Sequence, residues 1–113
     1  MVSISYDDFA DVDMRVGVVT HVEAFERART PTYKIRVDFG PEIGEKWSSA
    51  QGRREYAEGD LLGRQVIAVV NLAPKNIAGF LSEVLLLGVP MEDGSLSLLE
   101  PSRRPARVGG RVY

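Results

Sequence analysis

From residue 14 the chain alternates. Met14, Val16, Val18, Val22 and Ala24 share one parity, while Arg15, Gly17, His21 and Glu23 hold the other. That period of two marks a half-buried strand, and Gly17 within it predicts a bend or bulge. Tyr33, Ile35, Val37 and Phe39 then alternate with Lys34, Arg36 and Asp38, a second strand. A Gly/Pro turn at 40–44 leads to a third strand over 45–51. Residues 53–62 predict a short helix. A fourth strand covers 65–72, and its continuous apolar run implies burial on both faces. Residues 73–79 read as a loop, 82–89 as a fifth strand, 91–94 as a turn and 96–99 as a short sixth strand. Upstream, Ser5 stands where an N-cap belongs and Asp7 and Asp8 suit the positive end of a helix dipole, so 5–10 predicts a short helix.

Three strands, a helix and two more strands is the order of the OB-fold, a five-stranded Greek-key barrel. Periodicity alone would permit another small barrel, and the helix between strands three and four favours the OB order. The expected fold is therefore all-β, a five-stranded OB barrel with a short N-terminal helix, one helix between strands three and four, and a C-terminal extension. At 113 residues the chain has room for one domain, 1–113.

Composition narrows the chemistry. There is no cysteine and one histidine, which excludes disulfides, thiolate metal sites, Cys nucleophiles and a His-rich metal cage. His21 lies on the polar parity of its strand and reads as an exposed structural residue rather than the base of a triad. No Walker-type or zinc-protease motif occurs, so neither catalysis nor a cofactor is expected. The net charge of −2 is not that of a generic polyanion binder. It is uneven: residues 1–60 carry 12 acids against 8 bases, and 61–113 carry 4 against 6. The start is acidic and turns away from a signal peptide at once, and the apolar runs are too short to span a bilayer. A cytoplasmic protein without membrane insertion is expected.

In an OB barrel the loops between strands one and two and between strands four and five flank a binding face centred on strands two and three. The first loop carries Arg27 and Arg29, with Lys34 just beyond it. The second carries Lys75 and Asn76, with Asn71 just before it. Ser48-Ser49-Ala50-Gln51 places three short polar groups in a strand, where they can meet a ligand or bond the adjacent backbone. Trp47 is the only tryptophan. It serves as core or, if exposed, as a flat contact surface for peptide or base.

These residues carry a family resemblance. The segments Asp13-Met14-Arg15-Val16-Gly17, Ala28-Arg29-x-Pro31-x-Tyr33-Lys34, Asp38-Phe39-Gly40-x-Glu42-x-Gly44, Ser48-Ser49-Ala50-Gln51, 65–71 and Ile77-Ala78-Gly79-Phe80-x-Ser82-Glu83-Val84-Leu85 closely resemble the CsaA-type export-related chaperones. More distantly they resemble the tRNA-binding domain of bacterial methionyl-tRNA synthetases and the EMAP-II group. The resemblance implies an OB-fold homodimer that binds unfolded or pre-export polypeptides, in contact with the export machinery. Phe39, Trp47, Ser49 and Gln51 are its candidate peptide contacts. The dimer contacts it implies involve the N-terminal helix and the C-terminal extension, here Phe9, Arg103, Arg104 and Arg107. The wider family implies tRNA as the rival ligand, on Arg29, Lys34, Asn71, Lys75 and Ser82. Where tRNA-binding relatives have a neutral amide after that serine, this chain has Glu83, which is expected to repel phosphate. Relatives carry a polar residue at position 47, which implies that Trp47 is exposed.

Overall fold

The computed structural model describes residues 1–113. In chain order its elements are α1 (Tyr6–Ala10), β1 (Met14–Ala24), β2 (Tyr33–Asp38), β3 (Glu45–Ala50), α2 (Glu58–Leu61), β4 (Gln65–Val69), β5 (Lys75–Ile77), β6 (Phe80–Ser82), β7 (Leu85–Leu86), β8 (Gly88–Pro90) and β9 (Leu96–Leu98). Five of the strands make one antiparallel sheet in the order β3-β2-β1-β4-β7. Its two edges meet at residues 83–84, whose N–H groups both donate to the Trp47 carbonyl. The result is a nearly closed five-stranded barrel with α2 between β3 and β4, the OB arrangement. No helix is long and apolar enough to cross a membrane.

The core follows from the alternation of β2. Tyr33, Ile35 and Val37 point inward beside Val19, Val66, Ala68 and Leu61. Lys34 and Arg36 point outward, paired across the strands with Ser49 and Trp47. The first strand departs from its simple parity. A bulge between Val19 and His21 shifts the register against β2, so the inward set is Gly17 and Val19 before it and Val22 after it. Gly17 is not the bulge. It is the position where β1 passes under Val37 and Phe39, and a Cβ there would run into both side chains. Phe39 continues the inward parity of β2 and is 1% exposed.

Two further differences concern residues 73–99. The stretch 73–79 is not a loop: β5 and β6 form a hairpin with Ile77 opposite Phe80. Its two-residue tip puts Ala78 at φ 48 and Gly79 at φ 86, the positive angles a type I′ turn requires. Asn76 holds the tip by accepting the Gly79 N–H at 2.9 Å. The fifth strand, expected over 82–89, is broken into the end of β6, the short β7 and then β8, which turns away to pair with β9. Barrel closure is the reason: β7 stays with β4 for only two residues before the chain bends.

The C-terminal extension lies along β1. Gly109 N–H donates to Val16 O, Val16 N–H to Gly110 O and Val112 N–H to Met14 O. Gln65 clasps the extension at both ends of its amide, bonding Ala106 N–H and C=O at 2.8 Å each. At the other terminus Ser5 and Asp8 make the reciprocal capping pair of α1, but no α1 residue is buried. Val2, Ile4 and Tyr6 stand open to solvent.

Candidate functional site

The outer face of β1, β2 and β3 gathers the side chains with the most binding chemistry. His21 and Glu23 on β1 lie opposite Arg36 and Lys34 on β2, and Arg36 lies opposite Trp47 on β3. Trp47 is half-buried. Its ring meets His21 edge-on at 5.7 Å and Phe80 at 6.0 Å, and Phe80 meets Phe25 at 5.3 Å. These are favourable edge-to-face distances. Phe25 anchors the loop between β1 and β2, where its N–H donates to Thr32 O. Phe80 is the first residue of β6, delivered by the hairpin turn. The loop after β1 and the β5–β6 hairpin thus meet through Phe25 and Phe80, and Phe80 reaches Trp47.

Cations lie on these rings. Lys34 Nζ stands 4.9 Å from the Phe25 centroid and 5.2 Å from Phe80, and the Arg36 guanidinium 5.8 Å from Trp47. Both geometries are within cation–π range. Arg36 is also paired with Glu45 at 3.3 Å, whereas Lys34 has no carboxylate within ion-pair distance. Glu23, Lys34, Trp47, Phe80, Leu81 and Glu83 line a shallow cleft of about 370 Å³. Beyond Glu83 a second cleft of about 330 Å³ continues past Ser49, Gln51, Leu72, Lys75 and Ser82.

The seam beside this face is closed by side chains. Trp47 N–H donates to the Glu83 carboxylate at 2.8 Å, and Ser49 N–H to the Ser82 hydroxyl at 3.2 Å. Glu83 therefore satisfies an edge donor of β3 rather than standing in the groove as a free anion, and Ser82 serves the same edge. The order Ser-Glu at 82–83, adjacent to the bend into β7, is the signal that could have revealed this.

The expected site residues separate into groups. Trp47, Ser49 and Gln51 lie on the outer side or end of β3. Phe39 does not: it is core, because it shares the parity of Ile35 and Val37, and it reaches no ligand from there. Of the cationic set, Lys34 is in the aromatic cluster, Lys75 is exposed in the adjoining cleft and Arg29 is exposed on the first loop. Asn71 belongs elsewhere. Its amide oxygen accepts Asp13 N–H at 3.0 Å and its NH2 donates to Asp11 O at 2.7 Å, so both ends are committed to the segment after α1. Phe9 is partly buried beside the Tyr6 ring, 6.0 Å away. Arg103 and Arg107 are exposed, but Arg104 is paired within the chain to Glu100 at 3.1 Å. Phe25 and Phe80 are site residues that the alternation pattern alone does not single out. The signal was an aromatic at each of the two loop boundaries.

Comparison with known proteins agrees with the barrel fold. The family model described as "Putative tRNA binding domain" matches residues 14–109. A solved structure of a CsaA chaperone protein from Picrophilus torridus is 42% identical, with a TM-score of 0.91, covering 98% of this chain and 100% of that one. Chaperone CsaA from Bacillus anthracis is 44% identical with a TM-score of 0.91, covering 99% and 100%. A methionine–tRNA ligase of Chlorobium luteolum is 35% identical over 99 residues, 88% of this chain. The chain spans only 14% of that ligase's length.

Proposed function

The chain belongs to the tRNA-binding-domain family and is of the CsaA type, and on that premise we propose that it is an ATP-independent chaperone which binds unfolded or pre-export polypeptides as a cytoplasmic homodimer. The observation that carries this reading is the outer face around Trp47. There Lys34 stands within 5.2 Å of two ring centroids and Arg36 within 5.8 Å of a third, and two carboxylates border the cleft, Glu23 and the seam-bonded Glu83. The face is amphipathic and nearly charge-balanced, which suits an extended polypeptide better than a polyphosphate. Dimerisation is supported by α1, whose exposed Tyr6 and preceding Val2 and Ile4 find no cover in their own chain, and by the exposed Arg103 and Arg107. The proposal assigns no catalytic step and no cofactor, and the export machinery is the partner that pre-export clients imply.

A second reading, tRNA binding, is favoured by the family match and by one observation: Lys34, Lys75 and Arg29 have no carboxylate partners. Its contacts would be mostly ionic and its affinity would fall steeply with salt. The deciding experiment dilutes a chemically denatured client into buffer with the protein and no nucleotide, and follows light scattering. Stoichiometric suppression of aggregation that persists in high salt supports the chaperone reading. Unchanged aggregation, together with salt-sensitive capture of tRNA, would replace it with the second.

A further inference from the structure

We infer that the free edge of β8 is a docking strand for an extended polypeptide, a second binding site apart from the aromatic face. This inference rests on the chaperone reading above. The edge follows from hydrogen-bond alternation. Leu99 N–H donates to Leu87 O at 3.0 Å and Met91 N–H to Ser95 O at 2.7 Å. Between them Gly88 stands opposite Leu98 and Pro90 opposite Leu96. In an antiparallel pair, residues between the hydrogen-bonded pairs turn their N–H and C=O groups away from the partner strand. Gly88 N–H, Gly88 C=O and Pro90 C=O therefore point away from β9. No turn, loop or cap takes them up, and all three residues of β8 are exposed. Proline fits this edge because it has no N–H to leave unpaired.

The edge is one wall of a groove of about 570 Å³, within the range of sites that hold ligands, about 300–1,000 Å³. Leu85, Leu96 and Leu98 supply apolar lining, and Ser49 and Gln51 polar lining. A polypeptide is the ligand whose backbone matches the edge. Its residue opposite Gly88 would donate to Gly88 C=O and accept from Gly88 N–H, and the residue two earlier would donate to Pro90 C=O. These bonds ignore side-chain identity, as binding many unfolded chains demands. Nucleic acid is disfavoured because the groove's charged lining is Arg54 against Glu55, with no net attraction for phosphate. A second copy of β8 is restricted to the single register that sets Gly88 opposite its own counterpart, since Pro90 has no N–H to donate in the register that sets it opposite Gly88.

The test follows backbone amides of the intact 15N-labelled protein as a soluble Val/Thr peptide of about ten residues, long enough for strand addition, is added. At saturation Gly88 amide exchange should slow by about tenfold or more, while Val89, already turned toward β9, changes little. The same peptide N-methylated at every residue should bind about tenfold more weakly or worse. Peptide binding with Gly88 exchange unchanged would overturn the β8 site and leave the chaperone reading intact. Gly88 protection that is present without peptide and lost on dilution would assign the edge to a second copy and overturn the inference. Failure of any peptide to bind would overturn both readings.

Discussion

Two regions of the molecule hold their cations in opposite ways. Where the termini meet, Asp13 takes Arg15 at 2.6 Å and Arg111 at 3.7 Å. Arg111 also donates to Ala10 O at 2.6 Å, capping the end of α1. On the outer face Lys34 rests on Phe25 and Phe80 with no carboxylate beside it. In the first region positive charge is consumed in joining the N- and C-terminal segments. In the second the aromatic rings hold the side chain in place and leave its charge for something else. Residue type therefore does not identify a binding cation; its partner does. A substitution at the termini should change stability and spare binding, and one on the outer face should do the reverse.

The largest separation is expected from Trp47→Ala. If the indole is a central anchor, peptide affinity should fall by about 1–3 kcal/mol, measured by calorimetry, with the thermal midpoint less affected than in the Asp13 variant. Next comes Asp13→Asn, which leaves two guanidiniums without their shared carboxylate. Stability to denaturant should drop by about 1–2 kcal/mol, with peptide affinity unchanged. A fall in affinity as large as that of Trp47→Ala would merge the two regions and break the contrast. This site also has a pH signature. The hydrogen bond from Arg15, and then the charges of Arg15 and Arg111, hold the Asp13 carboxyl below its ordinary range despite the opposing effect of burial. A carboxylate depressed on folding stabilises above its unfolded value of about 3.9, and that contribution is lost as pH falls through the lowered folded value. The acid limb of the stability curve should be shallower in Asp13→Asn than in the natural chain.

Smaller effects test the seam. Glu83→Ala should cost about 1 kcal/mol by leaving the Trp47 N–H without its acceptor, while Glu83→Gln, which keeps an acceptor oxygen, should cost less. The smallest effect is expected at the hairpin tip. Ala78 sits at φ 48, a left-handed conformation that disfavours alanine and suits asparagine. Ala78→Asn should raise stability by up to about 1 kcal/mol, read from the denaturation midpoint.

Much of the barrel is legible in the sequence because β2 obeys a simple rule. Its alternation assigns Ile35 and Val37 to the core and Lys34 and Arg36 to the face, and β3 inherits its register from that pairing. The same rule applied to Phe39 would have placed it inside. The first strand misleads because a bulge reverses its parity midway, and a bulge leaves no mark in the composition. The β5–β6 hairpin is hidden because its tip is Ala-Gly rather than the usual Asn-Gly, so a paired turn looks like an ordinary loop. Asn71 looks like a ligand donor beside a binding loop, and only its two long-range backbone bonds reveal it as a strut. The aromatic cluster is assembled from β3, from β1 and the loop that follows it, and from β6. Such a convergence cannot be read locally, although each of its members stands in plain view.

The indole of Trp47 offers the most direct measurement, because it is the chain's only tryptophan and lies between His21 and Phe80 on the outer face. Its emission should be followed while an apolar peptide, and separately tRNA, is titrated at low and high salt. Covering by peptide should shift emission to the blue and persist in high salt, since apolar contact is not screened. Base stacking should instead quench the emission and be released by salt. Emission that stays unchanged with peptide, or responds only to tRNA at low salt, would contradict the assignment of this face to polypeptide.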